Sequence, residues 1–370
     1  MRVLLRLMAG TVIALSLAGA AAFGQHYTQT NLVSSETGVA PVTDPDLINP
    51  WGLSRGSGTP WWVSDNATGL STLYTGAGVK EGLVVTIPPA VTGNLGTPTG
   101  TIYNGNATSF LLTGGKPALF LFSTLDGLIV GWNSSAGALA TVKTTDGSSF
   151  TGLTSAYIGA NLYLYAANFT KGRVDVYDSA FNHVDFGEER FDDDWLPRNY
   201  VPFNVQAIGN DIVVTYALHE KGELVETDGP GRGFVDIFTS EGRLLKRLEH
   251  GWWLNAPWGV ALAPDDFGRY SHDLLIGQFA GGGTTQASGY IAAYDLASGR
   301  YDGLLEDATG APLAINGIWA IAPGNTGNNY NSAGAPAAEL YFTAGPDHGA
   351  QGLYGYLTAV STELVKGNDQ

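Results

Sequence analysis

Apolar positions in this 370-residue chain fall in short runs, often alternating with polar positions and bounded by Gly, Pro, Asn or Asp. Runs of about four to eight residues with a period of two are the mark of β-strands rather than helices. Beyond the N-terminal segment no stretch keeps a helical period, and 51 glycines with 17 prolines punctuate the chain as an all-β meander requires.

The runs recur at intervals of about 45 to 60 residues, the range of propeller repeats. Six units are marked. Each opens on a turn and a short strand: Asn49-Pro50-Trp51-Gly52-Leu53, Thr97 to Thr101, Phe150 to Leu153, Val201 to Val205, Ala256 to Val260 and Ile315 to Ile318. A second strand ends on a small residue followed by a mostly polar one, at Ser64-Asp65, Ser123-Thr124, Ala167-Asn168, Thr215-Tyr216, Gly277-Gln278 and Thr343-Ala344. A third ends on a bulky residue such as Tyr74, Trp132, Tyr177, Phe238 or Tyr294, and a weaker fourth follows in units one, two, four and five, with a less clear one near His183 to Phe186 in unit three. The sixth unit lacks its fourth strand, while Tyr27 to Val33 is an unassigned strand at the other end of the chain. Pairing the two closes the ring and removes an exposed edge. The pattern therefore predicts an all-β, six-bladed β-propeller over residues 25–361, closed by the N-terminal strand, with a polar tail at 362–370.

Arg2 and Arg6 precede an apolar run to Phe23, and Ala22-Phe23-Gly24 offers small residues where a signal peptidase reads. Residues 1–24 are expected to be a cleaved signal peptide, which places the mature protein outside the cytoplasm, secreted or periplasmic, with no later membrane span. With no cysteine, stability must come from a large core rather than from disulfides. The 34 acidic against 18 basic residues argue against nucleic acid or an anionic membrane as partner.

The segment Asn49-Pro50-Trp51-Gly52-Leu53, Trp62-Val63-Ser64-Asp65 and Ser71-Thr72-Leu73-Tyr74 resembles an NHL repeat. Through Gly231 to Phe238, Leu254 to Pro264 and Leu340 to Pro346, the mature chain resembles a family of uncharacterised secreted bacterial NHL-like propellers. Some members of that family carry a PEP-CTERM sorting tail, and this chain shows none after Lys366. The resemblance implies fold and export, and no activity.

Loops before first strands and between second and third strands share one face of a propeller, where a rigid scaffold positions functional groups. Asp65, Thr124, Asn168, Tyr216 and Gln278 are expected to form a partial polar ring at the channel mouth, joined by Asn49, Asn204 and Asn316. Such oxygen-rich surroundings suit a divalent cation such as calcium or a hydroxylated ligand. Gluconolactonase-like propellers hold a metal on the axis, and by residue type the resemblance points to Asp65, Asn168 and Asn204. His219-Glu220 and Asp347-His348 occupy equivalent loops and offer acid-base groups on the same face. Trp51, Phe203, Trp258 and Trp319 recur at blade openings, where core packing is the leading expectation and sugar stacking the other. Asp192-Asp193-Asp194 reads as an exposed acidic turn.

The sequence thus favours a monomeric binding or scaffold propeller that holds an extracellular protein or glycan through the loops Tyr216 to Gly233 and Phe279 to Tyr290. The alternative is a metal-dependent, lactonase-like hydrolase at the channel mouth.

Overall fold

A computed structural model describes residues 24–134, 137–187, 189–221, 225–280, 288–324 and 338–364. Most of the expected export segment, the end of the polar tail, and parts of both long loops (222–224 and 281–287) lie outside the described residues.

Six antiparallel sheets form the blades of a propeller. Blade 1 runs outward from Pro50–Ser54 through Trp61–Asp65 and Leu70–Tyr74 to Val85–Thr86. Blade 2 comprises Pro98–Tyr103, Phe120–Thr124, Leu128–Trp132 and Leu139–Lys143, and blade 3 comprises Phe150–Ile158, Asn161–Asn168, Arg173–Tyr177 and His183–Val184. Blade 4 comprises Tyr200–Ile208, Asp211–Leu218, Gly233–Phe238 and Leu244–Arg247, and blade 5 comprises Pro257–Leu262, Leu274–Gln278, Ile291–Tyr294 and Tyr301–Leu304. Blade 6 takes Ile318–Pro323, Leu340–Ala344 and Leu353–Ala359 from the C-terminal end, and Tyr27–Ser34 pairs antiparallel with the last of these. The expected ring closure is therefore present. A short parallel strand, Val42–Thr43, covers the outer edge of the closing strand and leaves less of it unpaired.

Two details differ from the sequence pattern. Ile315–Asn316 pairs with Ser288–Gly289 in a separate ladder, so the inner strand of blade 6 begins only at Ile318. Gly317 between them adopts a positive φ, which breaks the extended run. In blade 4 the second strand continues past Thr215-Tyr216 to Leu218, because Leu218 still has a partner in Tyr200.

Every inner strand carries a register shift near its start. A bulge leaves backbone groups without ladder partners, and buried groups of that kind need others. The small residues of the second strands supply some of them. Ser123 Oγ accepts from the Gly100 amide at 3.2 Å, Thr215 Oγ1 from the Asn204 amide at 3.0 Å and Thr343 Oγ1 from the Ala320 amide at 3.1 Å. Bonds then cross to a neighbouring blade: Thr99 Oγ1 donates to Phe150 O, Asn204 Nδ2 to Trp258 O and Thr343 Oγ1 to Trp51 O, each at 2.7 Å.

Inner strands approach so closely that some positions admit no side chain. A methyl on Gly100 would stand 2.4 Å from the Leu153 amide, and one on Gly52 would stand 2.5 Å from Thr99 O. The axis itself is filled by Trp51, Phe203, Trp258 and Trp319, all buried. Core packing is thus what these four side chains do. Beside Trp258, Gly52, Gly100, Asn204, Gln206 and Ala320 surround a space of only about 20 Å³, room for about one water.

Candidate functional site

The axial aromatic column reaches the loop-rich face. Trp319 is stacked on Trp51 and, on that face, on Phe279, with ring centroids 4.1 Å apart. Phe279 is half-buried, as are Leu125 and His219, and among the described residues Leu125 and Phe279 pack as apolar side chains on the axial cluster at the mouth. His219 packs against the buried Phe169, which leans on Phe203. Asn49 accepts the Trp319 indole N–H at 2.9 Å, fixing that ring.

Asp347 and His348 lie exposed on the short turn Pro346–Gly349 beside Asn49, both with φ near +54°. Two consecutive non-glycine residues in the left-handed region store strain, of the order of 1–2 kcal/mol each. The turn holds itself through Gly349 N–H to Gly345 O, Ala350 N–H to Asp347 O and Gln351 N–H to Pro346 O.

The expected ring residues sit elsewhere. Asp65, Thr124, Asn168, Tyr216 and Gln278 are all buried and turned into their own blades. Asp65 Oδ2 accepts from the Thr72 amide at 2.9 Å, and burial pushes its carboxyl well above the usual range. Thr124 Oγ1 takes the Leu128 amide, and Gln278 Oε1 takes the Asn255 amide. Asn168 Nδ2 donates to Asp175 Oδ2 at 2.7 Å and to Ser148 Oγ. The Tyr216 hydroxyl has no hydrogen-bond partner among the described residues; burial, and then the Asp236 carboxylate, raise its pKa.

Alternation along the strand explains this placement. The small residue looks toward the inner-strand bulge, so its neighbour faces the opposite side of the blade, where it meets same-face residues of the adjacent third strand. Blade 1 sets Asp65 against Thr72, blade 3 sets Asn168 against Asp175, and Tyr216 and Asp236 occupy the matching positions in blade 4.

Asp65, Asn168 and Asn204 stand on blades 1, 3 and 4; the Asn168 amide is spent on Asp175 of its own blade and that of Asn204 on Trp258 O of blade 5. Of these three side chains only Asp65 leaves a buried oxygen, Oδ1, without a partner. Calcium takes six to eight oxygens, and this set does not fit one ion. Among the described residues no three His, Asp or Glu side chains gather as a metal site. Asp193, expected on an exposed acidic turn, is instead buried and ion-paired with Arg247, while Asp192 and Asp194 stay exposed.

The loop-rich face also carries aromatics that sequence reasoning passed over. Trp252, 61% exposed, lies on the loop leaving blade 4, whereas Trp195, 83% exposed, lies on the loop entering it and stands beside Leu244 at the start of that blade's outer strand, away from this face. Near Trp252, Phe234 and the exposed His250 stack with centroids 4.2 Å apart, and Tyr200 meets Phe234 edge-on at 4.7 Å. His250 is fixed by Gly231 O at 2.9 Å. The only sequence signal for this crown was the clustering of aromatics within otherwise polar loops.

Ring closure and the aromatic axis define a six-bladed β-propeller. The chain is 31% identical to two uncharacterised proteins of Acanthamoeba polyphaga mimivirus, with 88% of this chain and 78% and 84% of those chains covered. It belongs to the same protein family as these two. No family model matches the sequence. Among solved structures, the soluble aldose sugar dehydrogenase of Escherichia coli is similar in fold, with a TM-score of 0.55 at 10% identity, covering 90% of this chain and all of that one. Among the described residues no helix is long and apolar enough to cross a membrane.

Proposed function

We propose that the protein is an exported binding propeller that holds an extracellular protein or glycan on its loop-rich face. The observation that carries this reading is the exposed indole of Trp252 beside the stack of His250 on Phe234 on that face. An exposed tryptophan gives up hydrophobic stabilisation, and Trp252 with the neighbouring stack of His250 on Phe234 offers flat surfaces suited to sugar rings or to apolar side chains of a partner. Phe279 at the axis mouth extends the same surface. Export is supported by the start of the folded ring: Gln25 is buried and donates to Val360 O, so cleavage after Gly24 leaves the closing strand whole.

The test is a glycan array and a cell-envelope pull-down with the mature protein and the variant Trp252→Ala. Retention by wild type and loss of at least about tenfold in affinity by the variant, about 1.4 kcal/mol, supports the reading. Equal retention by both proteins overturns it.

A further inference from the structure

A second concavity, away from the axis, is built largely from charged groups. At the outer rim of blade 3, where its fourth strand gives way to the loop leading to blade 4, a cavity of about 300 Å³ is lined by Arg173, Asp175, His183, Phe186, Arg190 and Phe191. This is the lower end of the usual range of about 300–1,000 Å³ for ligand pockets.

Its floor is pre-organised. Asp175 is buried, and its Oδ2 is occupied by Asn168 Nδ2 at 2.7 Å. Its Oδ1 receives Arg173 Nε at 2.6 Å, with His183 Nε2 3.5 Å away. One buried carboxylate oxygen thus anchors two basic side chains. Because Arg173 spends its Nε edge on Asp175, the two terminal nitrogens of its guanidinium have no acceptor among the described residues, and neither does the guanidinium of Arg190. Asp185, also in the wall, uses its Oδ1 on the Gly187 amide. The half-buried Phe186 and the buried Phe191 provide an apolar side. Phe191 is held at φ +55° by a bond from its amide to Gly242 O, a conformation a bulky residue adopts at a cost.

In a chain of formal charge −16, the terminal nitrogens of Arg173 and the guanidinium of Arg190, without an acceptor among the described residues on one small cavity, suit an anion. We propose that this rim pocket binds a compact ligand bearing a single carboxylate, held in the forks of Arg173 and Arg190 with its body against Phe186. Planar forks match planar carboxylates in bidentate fashion. Asp175 and Asp185 in the same wall disfavour a dianion such as phosphate. The site is separate from the aromatic crown and does not depend on the reading given for it.

Isothermal titration of the mature protein with D-glucuronate and with benzoate, two carboxylates of different body, tests the proposal against D-glucose and inorganic phosphate. At least one carboxylate is expected to bind saturably at one site, glucose is expected not to bind, and Arg190→Gln is expected to weaken the carboxylate about tenfold or more. Arg190 is exposed, so this variant should keep the wild-type melting temperature. Absence of saturable binding by both carboxylates up to about 10 mM, a range corresponding to roughly −3 kcal/mol, overturns the site. So does binding unchanged in Arg190→Gln, or phosphate binding tighter than either carboxylate.

Discussion

Trp319 lies nearly flat on Trp51, with ring centroids 3.6 Å apart and planes inclined by 19°. The two residues stand on the inner strands of blades 6 and 1, at opposite ends of the chain, so this stack exists only when the ring is closed. Trp319→Ala removes a buried indole from the axis and is expected to cost about 3–5 kcal/mol, as large aromatic truncations in cores do. A double-mutant cycle with Trp51→Ala should show a coupling of about 0.5–1.5 kcal/mol beyond additivity. Denaturant unfolding at fixed pH measures both, and strictly additive losses would show that the stack does not join the two blades energetically.

The close approach of inner strands gives a sharper local prediction. Gly100→Ala places a methyl 2.4 Å from the Leu153 amide, against backbone that has no rotamer to escape into. Destabilisation of about 1–3 kcal/mol or more is expected, as for other overpacked cores. At Ala256 the argument reverses, because a buried alanine there holds φ +46°. Ala256→Gly relieves that strain, and its unfolding midpoint is expected at or above wild type despite the greater freedom of its unfolded chain. A midpoint clearly below wild type would mean that the methyl's packing outweighs the strain.

How far the sequence could be read follows from which contacts are local. Second strands such as Trp61–Asp65 and Leu274–Gln278 were legible because apolar runs between turn residues report their own hairpins. The closing strand was legible because Tyr27 to Val33 and the three-stranded last unit each lacked a partner. Which way Asp65 or Asn168 faces was not legible. Adjacent residues alternate, and the face that meets the axis is set by a bulge in another strand and by contact with the next blade. Asp193 illustrates the same limit, since its burial depends on Arg247, 54 residues away. The exposure of Trp195 runs against its side-chain chemistry, and only tertiary structure reveals it.

The closing strand makes the N-terminal segment a structural part of the last blade. Tyr27 is buried in a cluster with Phe267 and Tyr270, and its hydroxyl donates to Phe267 O at 2.9 Å in blade 5. A chain beginning at Gln25 should unfold with the same midpoint as one beginning further upstream. A chain beginning at Ser35 exposes the unpaired edge of Leu353–Ala359 and is expected to aggregate or to lose cooperative unfolding. Scanning calorimetry with light scattering separates these outcomes, and unaltered unfolding of the shorter chain would contradict the closure.

Asp236 makes stability depend on pH in an uncommon direction. It is buried in blade 4, and neither carboxylate oxygen has a hydrogen bond: Arg247 bonds Asp193 and keeps its Nε 3.7 Å from Asp236 Oδ1. Burial pushes the carboxyl up from 3.8 to about 7. In the folded protein the neutral acid is favoured, whereas the unfolded chain ionises near 4, so over that interval the folded state binds the extra proton. Stability from this group is therefore complete below pH 4, falls as pH rises toward 7 and is level above it. Asp236→Asn removes the ionisation. Its stability relative to wild type should increase between pH 5 and pH 8, by roughly 1–3 kcal/mol once screening and relaxation are allowed for. Urea unfolding of both proteins across that range reads the difference directly, and a gap that stays constant with pH would show that Asp236 ionises in the folded ring as readily as it does in the unfolded chain.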